Sequence, residues 1–233
     1  MRLDRYLVAS GLCTRSQAGK LIRAGKVTVN GVTQRKADSA VREENDTVVF
    51  CGETVVYRKY TYLMLNKPAW YVSATEDGHD PTVLELLPET LRRIGLFPCG
   101  RLDKNTLGLM LLTNNGELAH RLLAPKRHVD KSYVFHAANP VTEEDRTRLE
   151  AGVDIGGYVT APCRVEMTAL SEGVITIHEG KYHQIKLMLA ATGNKITYLE
   201  RVTFGPLVLD GTLDRGMYRY LTEEEVAAIE SLG

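Results

Sequence analysis

The chain has 233 residues, 44% hydrophobic and 25% charged, with 29 basic and 29 acidic side chains and a formal net charge of zero. Those proportions belong to a folded globular protein and exclude long disordered tracts; the length allows one large domain or two smaller ones. No apolar run approaches the roughly 18 residues that span a bilayer, and Met1-Arg2-Leu3-Asp4-Arg5 lacks a signal-peptide apolar core, so the expectation is a cytoplasmic protein.

The zero net charge hides a local asymmetry. Residues 1–36 carry Arg2, Arg5, Arg15, Lys20, Arg23, Lys26, Arg35 and Lys36 against Asp4 alone, a net of +7. A basic cluster is the usual electrostatic footprint for phosphates; the plainer alternative is a solvated helix. Thr14-Arg15-Ser16-Gln17 has the form of a capping box. Ala18, Leu21 and Ile22 follow on one helical face, and Gly25 is a suitable stop. Val27–Val29 reads as a strand, and Asn30-Gly31 is a strong hairpin signal. Glu43 to Asp46 reads as a turn. Short strands are expected over Thr47–Phe50 and Thr54–Tyr57, around Cys51-Gly52. Arg58-Lys59 marks a linker, which gives two domains, 1–58 and 59–233.

The second domain begins with a strand candidate, Tyr62–Leu65, ending in Asn66-Lys67-Pro68. Pro81–Leu87 suggests a short helix. Phe97–Gly100 leads to Asp103, and the apolar Leu107–Thr113 suits a buried strand. Glu117–Leu123 reads as a helix closed by Pro125, Ser132–His136 as a strand, and Thr142–Glu150 as a helix with an acidic first turn. Arg164–Thr168 and Val174–His178 alternate like strands. A helix is expected over Tyr182–Thr192, closed by Gly193, then a strand at Met217–Leu221 and a final helix capped at Thr222. Strands and helices in this irregular order predict an α+β fold with a mixed or antiparallel sheet. The four cysteines form no CxxC pair and the six histidines show no metal-ligand spacing, so reduced structural thiols and no metal site are expected. Cys99, close to Asp103, reads as a small buried hydrophobe rather than a catalytic thiol.

Chemistry concentrates in four separated pieces. The first is Asn66-Lys67-Pro68. The second is Gly100-Arg101-Leu102-Asp103 with Thr106, Gly108-Leu109-Met110-Leu111-Leu112-Thr113 and Asn114-Asn115-Gly116. The third is Lys131-Ser132-Tyr133, preceded by Pro125-Lys126-Arg127-His128. The fourth is Glu179-Gly180-Lys181-Tyr182-His183-Gln184-Ile185-Lys186, with Met188 and later Leu199 and Arg201. By spacing alone Asp103 is a turn aspartate. Jointly and in order, the four pieces resemble the RsuA-type RNA pseudouridine synthases. The first 50 or so residues resemble the small RNA-binding module known from a small-subunit ribosomal protein, through Arg2-Leu3-Asp4, Arg15-Ser16, Ala18, Ile22, Gly25, Val27, Val29 and Asn30-Gly31.

The resemblance implies a pseudouridine synthase catalytic domain behind an S4-like RNA-binding domain. Such enzymes detach uracil from its ribose, turn it and rejoin it through a ring carbon, with no redox change and no cofactor. It implies that Asp103 is the catalytic carboxylate, acting as nucleophile or base, and that Lys186 is its cationic partner. Tyr133 is implied to lie beneath the extruded base and Leu199 to pack near it. The target uridine must leave its stack first. Arg101, two residues before Asp103, would share its side on a strand-like stretch and touch RNA. Arg2, Arg5, Arg15, Lys20 and Arg23 are read as RNA contacts, as is the basic stretch His120, Arg121, Lys126, Arg127, His128 and Lys131. The likeness points to small-subunit (16S) ribosomal RNA or a subunit precursor as partner, with the chain a monomer. A large-subunit target and a non-catalytic ribosome-assembly factor stand as alternatives. Trp70, Asn105, Leu107, Leu187 and Tyr220 depart from the family pattern, Trp70 standing where glycine is usual.

Overall fold

A computed structural model describes residues 1–124 and 129–232. The chain divides into two compact units, one of Met1–Thr61 with Leu87–Phe97, the other of Tyr62–Leu86 with Pro98 onward. The sequence expectation placed a single boundary after residue 58; Leu87–Phe97, which clusters with the first unit, shows no sign of this in its composition.

The first unit opens on helix α1 (Leu3–Ala9), which the sequence reading did not assign, and continues with α2 (Arg15–Arg23). Thr14 Oγ1 accepts from Gln17 N while Thr14 N donates to Gln17 Oε1 at 2.9 Å, closing the capping box. At the other end Gly25, with φ +73°, donates to Ile22 O while Lys26 donates to Leu21 O. That is the left-handed helix stop that glycine adopts without strain. Strands β1 (Val27–Val29) and β2 (Val32–Thr33) pair across Asn30-Gly31, both at positive φ, and β3 (Val48–Phe50) and β4 (Glu53–Thr54) complete a sheet in the order β2-β1-β3-β4. The expected strand over Thr54–Tyr57 shrinks to this two-residue β4. Leu3, Leu7, Ala18, Ile22, Val27 and Val48 form the core of the unit. Helix α3 (Glu89–Arg92) lies in the segment that clusters with it.

The second unit is built on one sheet. Its strands are β5 (Tyr62–Lys67), β7 (Leu107–Thr113), β8 (Lys131–Ala137), β9 (Arg164–Ala169), β10 (Glu172–Ile177), β11 (Ile196–Arg201) and β14 (Tyr218–Tyr220), a short β6 (Phe97–Pro98) preceding β7. Between β11 and β14 a small hairpin joins β12 (Thr203–Phe204) to β13 (Leu207–Val208). The order is β14-β5-β7-β11-β8-β10-β9. All neighbours are antiparallel except β7 and β11, which run parallel. Helices α4 (Gly116–Leu123), α5 (Glu143–Ala151), α6 (Gln184–Ala191) and α7 (Glu223–Glu230) complete the α+β architecture. Strands β5 and β7 are buried along nearly their whole length, which is why YLML and LGLMLL read as unbroken apolar runs rather than alternating ones.

Three departures from the sequence expectation bear on the site. Strand β11 sits in the middle of the sheet although ITYLER reads as mixed polar sequence. Helix α6 starts at Gln184, not Tyr182, because His183 takes a left-handed φ of +50° and cannot continue a helix. Residues 101–106 form an irregular loop rather than a strand-like stretch. No helix among the described residues is long and apolar enough to cross a membrane.

Candidate active site

The parallel contact between β7 and β11 is where the site begins. Arg201 on β11 pairs with Gly108 on β7. Gly108 has φ +96°, and a Cβ there would lie 2.3 Å from Arg201 O. Glycine is therefore required, and the two strands meet at a separation no other residue allows. On its other side β11 pairs antiparallel with β8, Arg201 facing Tyr133 and Leu199 facing Phe135. Directly opposed residues share a face, as do residues two apart. Lys131, Tyr133, Leu199 and Arg201 consequently line one side of a cleft of about 440 Å³, a size typical of small-molecule sites. Arg101, Asp103, Thr106, Ile177 and the segment Glu179–Lys186 close it.

Asp103 enters from the loop between β6 and β7. Its Oδ2 lies 2.6 Å from Lys186 Nζ, and its Oδ1 3.6 Å from His183 Nε2. Its side chain is 25% exposed. His183 is the N-cap of α6 and Lys186 lies in its first turn, so the carboxylate sits at the positive end of that helix. The segment before α6 is built to aim these groups. Glu179 accepts from Gln184 Nε2 at 2.6 Å, from Ala161 N at 3.0 Å and from the Tyr158 hydroxyl at 2.7 Å. Gln184 Oε1 in turn accepts from Lys181 N at 2.9 Å. His183 is stacked on Tyr182, ring centroids 3.8 Å apart.

The Asp103 loop is held from behind by Lys67. This lysine ends the buried β5 and has no exposed surface. Its ammonium donates to the carbonyls of Pro68 (3.0 Å), Asp103 (3.2 Å), Lys104 (3.1 Å) and Thr106 (2.9 Å). Burial pushes its pKa down to about 8, with Asp103 opposing and Lys186 and Arg201 reinforcing the drop. Four carbonyl acceptors require the protonated form, which holds at neutral pH. The neighbouring Asn66 donates to Leu213 O at 2.6 Å and accepts from Arg215 Nη1 at 2.5 Å. The sequence marked Asn66-Lys67-Pro68 without giving it a task. A lone charge closing an apolar strand was the available signal, since a buried charge needs partners.

Positive charge runs through the floor. Arg201 is 1% exposed; its Nε donates to Leu109 O at 2.7 Å, and its guanidinium lies 5.1 Å from the Phe204 ring. Lys131 donates to Val129 O at 2.7 Å. Burial, then the nearby Arg201, pushes its pKa down to about 8, with Asp130 and Cys99 opposing. Sequence reasoning read Lys131 as part of a surface stretch and Arg201 only as a motif position. Cys99 is buried, and burial pushes its thiol up to about 12, so it is a packing residue and not a nucleophile.

The structure thus gathers Asp103, Tyr133, Lys186 and Leu199 into one cleft, with Arg101 exposed at its mouth. Tyr133 and Leu199 line the cleft and are nearly buried, at 7% and 6% exposure. Lys126 and Arg127 lie outside the described residues. In the first unit Arg5, Arg15, Lys20 and Arg23 are exposed. Arg2 is not a free cation: its guanidinium grips Asp4 at 2.8 and 3.1 Å, and this holds the Asp4 carboxyl below the usual range.

Residues 61–191 match the RNA pseudouridylate synthase family model, and residues 1–48 match that of the S4 domain. An uncharacterized RNA pseudouridine synthase of Bacillus subtilis is 45% identical, with 97% of each chain covered. The ribosomal small subunit pseudouridine synthases A of Vibrio cholerae and Escherichia coli are 40% and 37% identical over 98% of this chain and 99% and 100% of theirs. A crystal structure of a pseudouridylate synthase superposes with a TM-score of 0.70 at 36% identity, covering 98% of this chain and 99% of the other. Matches of this extent, spanning both the RNA-binding module and the cleft around Asp103, place the chain in the RNA pseudouridylate synthase family, as an isomerase carrying an N-terminal S4 domain.

Proposed function

We propose that the protein converts one uridine of small-subunit (16S) ribosomal RNA to pseudouridine, with Asp103 as the catalytic carboxylate. The observation that carries the target is the end-to-end likeness, S4 domain included, to relatives named for the ribosomal small subunit. What supports Asp103 is its position: a partly exposed carboxylate in the cleft, oriented by Lys186 and His183 and backed by the Lys67-bound loop.

The chemistry follows from the cleft. The uridine leaves its stack at a cost of a few kcal/mol, offset in part by packing against Tyr133 and Leu199. Asp103 acts on the ribose, as nucleophile or base, while the N1–C1′ bond breaks and its electron pair goes to the uracil ring. The ring turns, C5 bonds to C1′ as the Asp103–C1′ bond breaks (or, with Asp103 as base, as it returns the ribose proton it took), the C5 proton leaves and N1 takes up a proton. Lys186 pairs with the carboxylate at 2.6 Å and aims it. The cationic floor of Lys131 and Arg201 faces the carbonyl-rich base, and fixed charge aimed at developing charge is the strongest device an active site has. Arg101 and the exposed basic residues of the S4 domain bind RNA phosphates. The protein works as a cytoplasmic monomer on ribosomal RNA or a subunit precursor.

Tritium release from 16S and 23S transcripts labelled at uracil C5 tests the reading. Release from 16S RNA alone, abolished in Asp103→Asn, is expected. Release from 23S RNA alone moves the target to the large subunit. Wild-type release by Asp103→Asn overturns the site.

A further inference from the structure

We propose that Trp70 is an RNA-stacking residue, whose indole takes a nucleobase flanking the target uridine beside the Asp103 loop. The inference rests on the reading that RNA is processed at Asp103. Trp70 is the chain's single tryptophan, and it is 64% exposed. Its φ is +72°, a left-handed backbone in which a bulky L residue is an outlier. Glycine holds that conformation without strain.

The surroundings enforce the strain. Trp70 N donates to Lys104 O at 2.9 Å, and the same carbonyl accepts from Lys67 Nζ at 3.1 Å. Three residues on, Ser73 Oγ donates to Leu102 O at 2.8 Å and accepts from Leu102 N at 3.0 Å. The chain leaving β5 is therefore fastened along the loop that carries Asp103, and these bonds hold Trp70 beside that loop. Its indole makes no hydrogen bond among the described residues. The ring's partner there is the Lys104 ammonium, 5.9 Å from the centroid, which pairs with Asp80 at 2.5 Å. The fold holds a strained backbone and leaves most of a large aromatic side chain in solvent, so the indole contributes little packing to set against the strain. Strain kept in this way belongs to function. An open aromatic face with a cation beside it is what single-stranded nucleic acid binds, and such stacking tolerates any base.

The single tryptophan makes the test direct. Transcripts of 16S and 23S RNA are titrated into the wild-type protein while Trp70 fluorescence is followed, with heparin as a polyanion lacking bases. Saturable quenching by RNA and none by heparin is expected. In Trp70→Gly, KM for RNA should rise about tenfold, equivalent to about 1.4 kcal/mol, with kcat unchanged and the denaturation midpoint raised by relief of strain. Trp70→Phe should retain most of the affinity, and Trp70→Leu should fall with Trp70→Gly. Absence of quenching at saturating RNA, equal quenching by heparin, or an unchanged KM in Trp70→Gly overturns the proposal. Quenching with tritium release from 23S alone displaces the proposed target and leaves the stacking role standing. Release from 16S without quenching does the reverse.

Discussion

Replacing Lys67 by Met keeps the length and apolar stem of the side chain and removes its ammonium. Four carbonyls between 2.9 and 3.2 Å away then lose their donor. An ammonium has three N–H groups, and hydrogen bonds to a charged group contribute about 1.5–3 kcal/mol each, a gross loss of about 6 kcal/mol. Against this stands the cost of burying the charge. The drop in pKa from 10.5 to about 8 corresponds to about 3.5 kcal/mol, at about 1.4 kcal/mol for each pH unit. The difference predicts that Lys67→Met destabilises the catalytic domain by about 2.5 kcal/mol, a shift of about 1.3 M in urea midpoint for a slope near 2 kcal/mol/M. The effect on rate is larger than on stability. Three of the four carbonyls belong to residues 103–106, and a displacement of about 1 Å at a reacting group costs about a hundredfold. Urea denaturation and single-turnover tritium release read the two effects. A variant with unchanged midpoint and at least half the wild-type rate refutes the view that this ammonium holds the Asp103 loop.

Asp103→Asn should fold and bind RNA yet form no pseudouridine; its ion pair with Lys186 is partly solvated, so denaturation should show a loss below about 1 kcal/mol. Tyr133→Phe should keep far more tritium release than Tyr133→Ala if the ring acts by stacking, and equal losses would assign the chemistry to the hydroxyl. Replacing Arg15, Lys20 and Arg23 together by Ala should weaken RNA binding and lower the salt slope by about 2, at about 0.7 for each phosphate no longer neutralised, while turnover at saturating RNA survives. The lysine pKa values give a pH dependence. Lys131 titrates near 8 in the fold and at 10.5 unfolded; between those limits the unfolded chain binds more protons, so stability rises with pH across that window. Lys131→Met should lose that component of the rise, which denaturation midpoints at pH 7.5 and 10 would show.

The elements legible in sequence are those whose signal is local. The Thr14-to-Gln17 box, the glycine stop at Gly25 and the Asn30-Gly31 hairpin depend on a few adjacent residues, and each forms as read. The final helix is capped at Thr222 as expected, and a capping box also closes the start of α5 at Thr142, where the sequence predicts only a helix with an acidic first turn. Strand β11 was not legible because its apolar alternation is broken. Its inward positions include Leu199 and Arg201, and a buried arginine reads as a surface residue until Leu109 O and Phe204 are seen to receive it. Helix α1 escaped because seven residues give too little periodicity, and Asp4 inside it is buried against Arg2 rather than solvated. Of the cleft, Asp103, Tyr133, Lys186 and Leu199 were reached through the family likeness. The spacing of residues offered no means of joining four segments so distant along the chain.

That distance explains the topology. A carboxylate in a short loop between strands cannot orient itself, and here three elements converge on it. Strand β5 brings Lys67 beneath the loop, helix α6 brings His183 and Lys186 to the carboxylate, and β11 brings Arg201 and Leu199 alongside. The parallel pairing of β7 with β11 makes the convergence possible, because it inserts a late strand beside the strand that follows Asp103. Gly108 is the hinge of this arrangement. A side chain there would meet Arg201 O at 2.3 Å, forcing β11 away from β7 and carrying Arg201 and Leu199 out of the cleft. The glycine that sequence places five residues after Asp103 therefore serves the site through backbone contact, and its requirement is visible only once the two strands are paired.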